Sequence, residues 1–138
     1  MIRTQKLFIP ERFPGLNELI GENRKHWSKG AQMKQDFTMI SKVAAKRNLK
    51  PVTRPVMIGW KWYEPASSKN TRDRDPDNIT SAKKFILDGM VAAGIIPDDN
   101  QKWIKGWLYE EWSQVKDNIR VGVLVEIQEV EDDTNADI

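Results

Sequence analysis

The sequence predicts an α+β domain, a small mixed β-sheet packed with helices. Three observations point there. Ile119, Val121, Val123, Val125 and Ile127 alternate with Arg120, Gly122, Leu124, Glu126 and Gln128, the period of a strand with one buried face. Met33, Phe37, Ile40, Val43 and Ala44 recur at helical steps, which marks the inward face of an amphipathic helix. Ile79, Ala82, Ile86, Met90 and Ala93 form a second stripe. At about 100° per residue they fall within ~40° of one direction.

The other elements follow in order. Residues 3–10 alternate weakly and stop at Pro10, which predicts a short strand. Pro14-Gly15 is a turn, and Asn17 is a candidate cap for a helix from Glu18 to Arg24. The first helical stripe sits in a helix from Ser28 to Asn48, closed by Lys50-Pro51. Val56, Ile58, Trp60 and Trp62 alternate with Met57, Gly59, Lys61 and Tyr63, a strand that Glu64-Pro65 closes. A polar loop runs from Ala66 to Asp73. One continuous helix then carries the second stripe, with Asp75 as cap, Pro76 in its first turn and Gly94 at its end. Ile95-Ile96 reads as a short strand, and residues 101–112 as a strand or strand pair. Lys116-Asp117-Asn118 is the turn into the final strand. Residues 1–128 are expected to be one domain, and 129–138 an acidic, disordered tail.

Composition narrows the chemistry. The chain has 138 residues and no cysteine, which excludes a disulfide framework and a thiolate zinc site. No segment approaches the ~18 apolar residues of a membrane span. No signal-peptide pattern opens the chain, so a cytoplasmic location is expected. Residues 126–138 carry six acids and no base, and without them the net charge rises from +2 to +8. Between Arg24 and Arg54 there are nine Lys or Arg and one acid, Asp36. A basic body of this kind suits a phosphate backbone, although a lysine-rich wet face reads equally well as plain solvation. His26 is the only histidine and cannot make a histidine metal cluster. For the six tryptophans, core or dimer packing is the first expectation and base stacking the second.

The candidate chemistry lies in Arg74-Asp75-Pro76-Asp77-Asn78, with Pro97-Asp98-Asp99-Asn100 behind it. Carboxylates one residue apart, with a third from a distant segment, are hard oxygen ligands of the kind Mg²⁺ or Mn²⁺ takes. Such an ion beside a cationic surface suits phosphodiester hydrolysis. An EF-hand is not supported, because Thr80 and Ile86 stand where the loop needs its glycine and its last glutamate. On a continuous helix with Asp77 at zero, Lys84 falls near −20° and Asp88 near +20°, on the face opposite the apolar stripe. The plain alternative is a charged helix cap, with Arg74 in a structural salt bridge.

Taken together, Asp75-Pro76-Asp77-Asn78, Lys84, Leu87-Asp88-Gly89, Gly94-Ile95-Ile96 and Asp98-Asp99 resemble the ordered motifs of the RusA family of Holliday junction resolvases. The likeness covers residues 74–100. It implies a small homodimeric α+β endonuclease that uses Mg²⁺, with Mn²⁺ as substitute, and cuts four-way DNA junctions by paired nicks. By position it assigns Asp75, Asp77 and Asp99 as catalytic metal ligands and Lys84 as the catalytic lysine. Between Asp77 and Asp88 this chain is longer than the family's best-known form by about three residues, nearly one helical turn. The phase count favours Lys84, and Lys83 stays the alternative. Arg24, Lys25, Lys29, Lys34, Lys69, Arg72 and Arg74 are the expected DNA-backbone contacts. Two other readings stay open: a non-catalytic DNA- or RNA-binding module, and a phage interaction protein with a structural acidic cluster.

Overall fold

The computed structural model describes residues 2–69 and 73–131. The fold is α+β, as expected. Its elements are β1 (Thr4–Ile9), α1 (Leu16–Lys25), α2 (Trp27–Asn48), β2 (Val56–Pro65), α3 (Pro76–Thr80), α4 (Lys83–Ala92), β3 (Ile104–Val115) and β4 (Gly122–Glu129). The strands form one mixed sheet in the order β1-β4-β2-β3. β4 runs antiparallel to both β1 and β2, and β3 runs parallel to β2. A parallel pair needs a crossover, and α3 with α4 supplies it.

Alternation decides which sheet face is buried. Leu7, Ile9, Ile58, Trp60, Trp62, Val123, Val125 and Ile127 join the core, with Ile79, Phe85, Ile86 and Met90 from the helices. Burying such a side chain contributes about 1.5–3 kcal/mol. Trp60 and Trp62 stack with centroids 5.6 Å apart, and Trp107 meets Trp60 edge-on at 5.5 Å. Core packing thus claims Trp60 and Trp62, while Trp107 covers Trp60 from the surface at 41% exposed.

The structure corrects several expectations. The motif helix is broken. Ala82 N bonds Ile79 O, and Phe85 N bonds Ala82 O, both in the tighter i→i−3 pattern. Ser81 Oγ also donates to Asn78 O at 2.8 Å, a back-bond that competes with the helical ladder. The cap of α1 is Gly15, not Asn17. The inward face of α2 centres on Gly30, Ser41 and Ala45, with Phe37, Ile40 and Ala44 of the predicted stripe half-buried against the core and only Val43 turned out, at 41% exposed. The reason lies in α4, where a Cβ on Gly89 would stand 2.4 Å from Ser41 Cβ and 2.7 Å from Lys42 N. Two helices this close admit only small residues at their crossing.

Ile95-Ile96 is not a strand but a buried turn after α4. Gly94, at φ +75°, donates to Val91 O, and Ile95 donates to Met90 O, which closes the helix in a Schellman arrangement. Residues 104–115 make one strand. Residues 118–120 form a 3₁₀ turn, so the last strand starts three residues later than its alternation suggested, and Ile119 is 81% exposed. Glu129 belongs to that strand, not to a tail. It is 3% exposed and accepts from Thr53 N at 2.8 Å, Thr53 Oγ1 at 3.1 Å and Arg3 N at 3.2 Å. Residues 132–138 of the expected tail lie outside the described residues.

Candidate functional site

Asp75 occupies the cap position of α3 with Pro76 behind it, as expected, but its side chain makes no capping hydrogen bond. Its carbonyl accepts from Asn78 N and Ile79 N instead. The carboxylates of Asp75 and Asp77 stay on the surface, Asp77 accepting from Asn78 N at 3.0 Å. Asp73, Asp75 and Asp77 line one depression of about 320 Å³ with Leu16, Asn17, Glu18, Arg74 and Asn78.

Asn78 ties that depression to α1. Its Oδ1 accepts from Asn17 N at 2.9 Å, which satisfies a first-turn donor of α1 from a distant segment. A Cβ on Gly15 would meet Asn78 Oδ1 at 2.5 Å, so glycine permits the approach. Glu18 then accepts from Gly15 N at 3.1 Å and Asn78 Nδ2 at 3.4 Å. Sequence reasoning missed Glu18 and Asp73 as lining acids. An acid in the first turn of α1 was the available signal for Glu18.

Arg74 is turned inward, which withdraws it from the expected DNA contacts. Its side chain is 9% exposed, and it donates to Glu64 Oε2 at 2.7 Å, Phe13 O at 2.9 Å and Glu18 Oε1 at 3.3 Å. Burial opposes charge on Glu64, yet the Arg74 and Arg12 hydrogen bonds prevail and hold its carboxyl below the ordinary range. This is the structural salt bridge weighed from sequence, made with glutamates rather than the neighbouring aspartates.

The two lysines of α4 diverge. Lys83 Nζ donates to Glu110 Oε1 at 2.8 Å and lies 4.6 Å from the centroid of the Trp107 ring. Lys84 Nζ reaches Asp88 Oδ1 and Asp99 Oδ2, each at 3.0 Å. Hydrogen bonds to Asp88 and then Asp99 raise the Lys84 pKa, and the Lys84 hydrogen bond lowers that of Asp99. Asp98 is engaged locally, accepting from Asp99 N at 2.8 Å and Asn100 Nδ2 at 3.0 Å. Asp99 is therefore the acid of the pair that faces the lysine. A second cavity of about 240 Å³ brings Lys84 and Asp88 beside Lys34 of α2, and Leu16 lines both this cavity and the acidic depression.

Asp75 and Asp77 are thus brought to one depression, and Lys84, Asp88 and Asp99 to a neighbouring cluster. Asp99 does not join the first two. Among the described residues no group of three or more His, Asp or Glu is arranged to hold a metal ion. In kind, the exposed carboxylates fit a hard divalent cation. In arrangement Asp99, the third ligand that the resemblance implies, is paired with Lys84 and not with Asp75 or Asp77.

Arg24, Lys25, Lys29 and Lys34 are exposed along the end of α1 and the start of α2, and Lys25 pairs with Glu22 at 3.0 Å. Lys69 is exposed, and Arg72 lies outside the described residues. No helix among the described residues is long and apolar enough to cross a membrane. No family model matches the chain, and no curated protein matches it.

Proposed function

We propose that this protein is a metal-dependent, structure-specific endodeoxyribonuclease that resolves four-way junctions and related branched DNA by paired nicks, acting as a homodimer. One observation carries the reading. Exposed Asp75 and Asp77 share a depression that adjoins the Lys84–Asp99 cluster across Leu16, with Lys34 of the basic helix beside it. The resemblance of residues 74–100 to the RusA motifs, which singled out these residues, agrees with it.

Asp75 and Asp77 would hold Mg²⁺ or Mn²⁺, with Asp99 the third ligand that the resemblance implies. When bound, the ion supplies Lewis-acid polarisation of the phosphodiester. Lys84 neutralises charge that develops on the phosphoryl oxygens. Its partners Asp88 and Asp99 hold its ammonium in place before substrate arrives. Lys34 and the exposed cations of residues 24–29 hold the backbone.

A synthetic four-way junction tests this, incubated with and without Mg²⁺ against Asp77→Asn. Nicking by the parent protein alone, and only with Mg²⁺, is expected. Binding by both proteins with nicking by neither would sink the nuclease reading. The runner-up is a non-catalytic DNA- or RNA-binding module, favoured by the Lys84–Asp99 ion pair, which ties up one expected ligand. Calorimetric titration with Mn²⁺ separates the two, since heat is expected for the parent and not for Asp75→Asn.

A further inference from the structure

Trp27 is the most exposed aromatic side chain among the described residues, and the proposed function leaves it unused. It is 75% exposed, at the elbow where α1 hands over to α2. Every residue from 23 to 29 is exposed, and Arg24, Lys25, His26 and Lys29 surround the indole in sequence. The elbow is nevertheless built firmly. His26 Nδ1 accepts from Ser28 N at 3.1 Å and caps α2. A Cβ on buried Gly30 would overlap Asn23 Oδ1 at 1.5 Å, so the end of α1 rests directly on α2. The His26 ring lies 5.6 Å from Trp27, tilted by 31°. A large flat ring is therefore held out to solvent on a fixed mount, with exposed cations on both sides of it in sequence, of which Lys25 also pairs with Glu22 at 3.0 Å.

We propose that Trp27 is a stacking platform for the terminal base pair exposed where a DNA branch opens. Arg24, Lys25 and Lys29 take the flanking phosphates. Charge selects this occupant. A polyanion satisfies the cations while offering an apolar face to the ring, and base–aromatic stacking tolerates any sequence. Position agrees with it. α1 starts at the acidic depression and has ten residues, so its end stands roughly 15 Å away at 1.5 Å per residue. The inference rests on the reading that branched DNA is the substrate, and it adds where the branch point sits.

The test uses the full chain and a four-way junction carrying 2-aminopurine at the branch, in EDTA so that nothing is cut. The parent protein is expected to change the probe's fluorescence on binding. Trp27→Ala should weaken junction affinity by about tenfold and abolish that change, with an unaltered salt slope. Trp27→Phe should keep most of both, and thermal unfolding should match the parent in each variant. Equal affinity and an equal probe response in Trp27→Ala would overturn the proposal. A shift in sedimentation with unchanged DNA affinity would also overturn it, making Trp27 a contact between copies. Nicking in Mg²⁺ is scored separately: binding that responds to Trp27→Ala without nicking removes only the nuclease reading. No binding by the parent at low salt removes both.

Discussion

Glu110 and Asp99 each hold a lysine, and the two lysines are neighbours in the chain. Glu110 is filled: Lys83 Nζ at 2.8 Å, Trp62 Nε1 at 2.9 Å and the Thr80 hydroxyl all donate to it. The side chains of Lys83 and Glu110 are only 15% and 17% exposed. Asp99 accepts from Lys84 at 3.0 Å, and that lysine's side chain is 68% exposed. The first cluster is a joint between α4 and the sheet. The second is a contact that water and substrate can reach. Adjacent residues of like charge thus differ in role because one faces the sheet edge and the other the solvent side of the same helix.

The largest expected effect breaks the buried side of this comparison. Arg74→Ala leaves the half-buried Glu64 with Arg12 alone and Phe13 O without its donor, and it should cost about 3 kcal/mol of stability in urea unfolding. A loss near zero would mean that the inward network is not structural. Glu110→Ala strands Lys83 and the Trp62 indole N–H, at a cost of about 1–3 kcal/mol. If Lys84→Ala destabilised as much, the contrast between the lysines would collapse.

Next in size is the acid limb. Glu64 is held low by Arg74 and Arg12 against its burial, and Glu129 by the Thr53 backbone hydrogen bond against its burial. Depressed carboxyls contribute stability that is present above the ordinary value of 4.5 and lost as pH falls through the folded pKa. Thermal melts should therefore drop below pH 4.5, and Glu129→Gln should flatten part of that fall. An identical acid limb in Glu129→Gln would refute its share. The smallest stability effect is expected at the exposed pair. Lys84→Ala should stay within ~0.5 kcal/mol of the parent yet remove junction nicking, whereas Lys83→Ala should lower stability. The reverse pattern would move the active lysine to Lys83.

The sheet and both stripes were legible because each depends on local periodicity. Val123, Val125 and Ile127 are fully buried, as their alternation requires, and so are Ile86 and Met90. What was not legible depends on partners remote in sequence. No breaker marks Ser81-Ala82, and the tightened turn there is accompanied by the Thr80–Glu110 and Ser81–Asn78 bonds. The 100° count that linked Asp77 to Lys84 therefore crosses a break, and Lys84 reaches its acids from α4 alone. Glu129 looked like the first residue of a tail because nothing local reveals that Thr53 and Arg3 come to meet it. Arg74 looked available for phosphate for the same reason. The pairing of Asp75 with Asp77 was readable from spacing, but their separation from Asp99 was not.

Gly89 sits one residue after Asp88, against Ser41 on α2. It works as a missing shim. The gap between the helix bearing Lys34 and the helix bearing Lys84 is set by the absence of one methyl group. Restoring it in Gly89→Ala would pry the two apart while leaving every charge in place. Alignment of cations with acids is thus a tunable dimension of this molecule, adjustable from a position that carries no chemistry of its own.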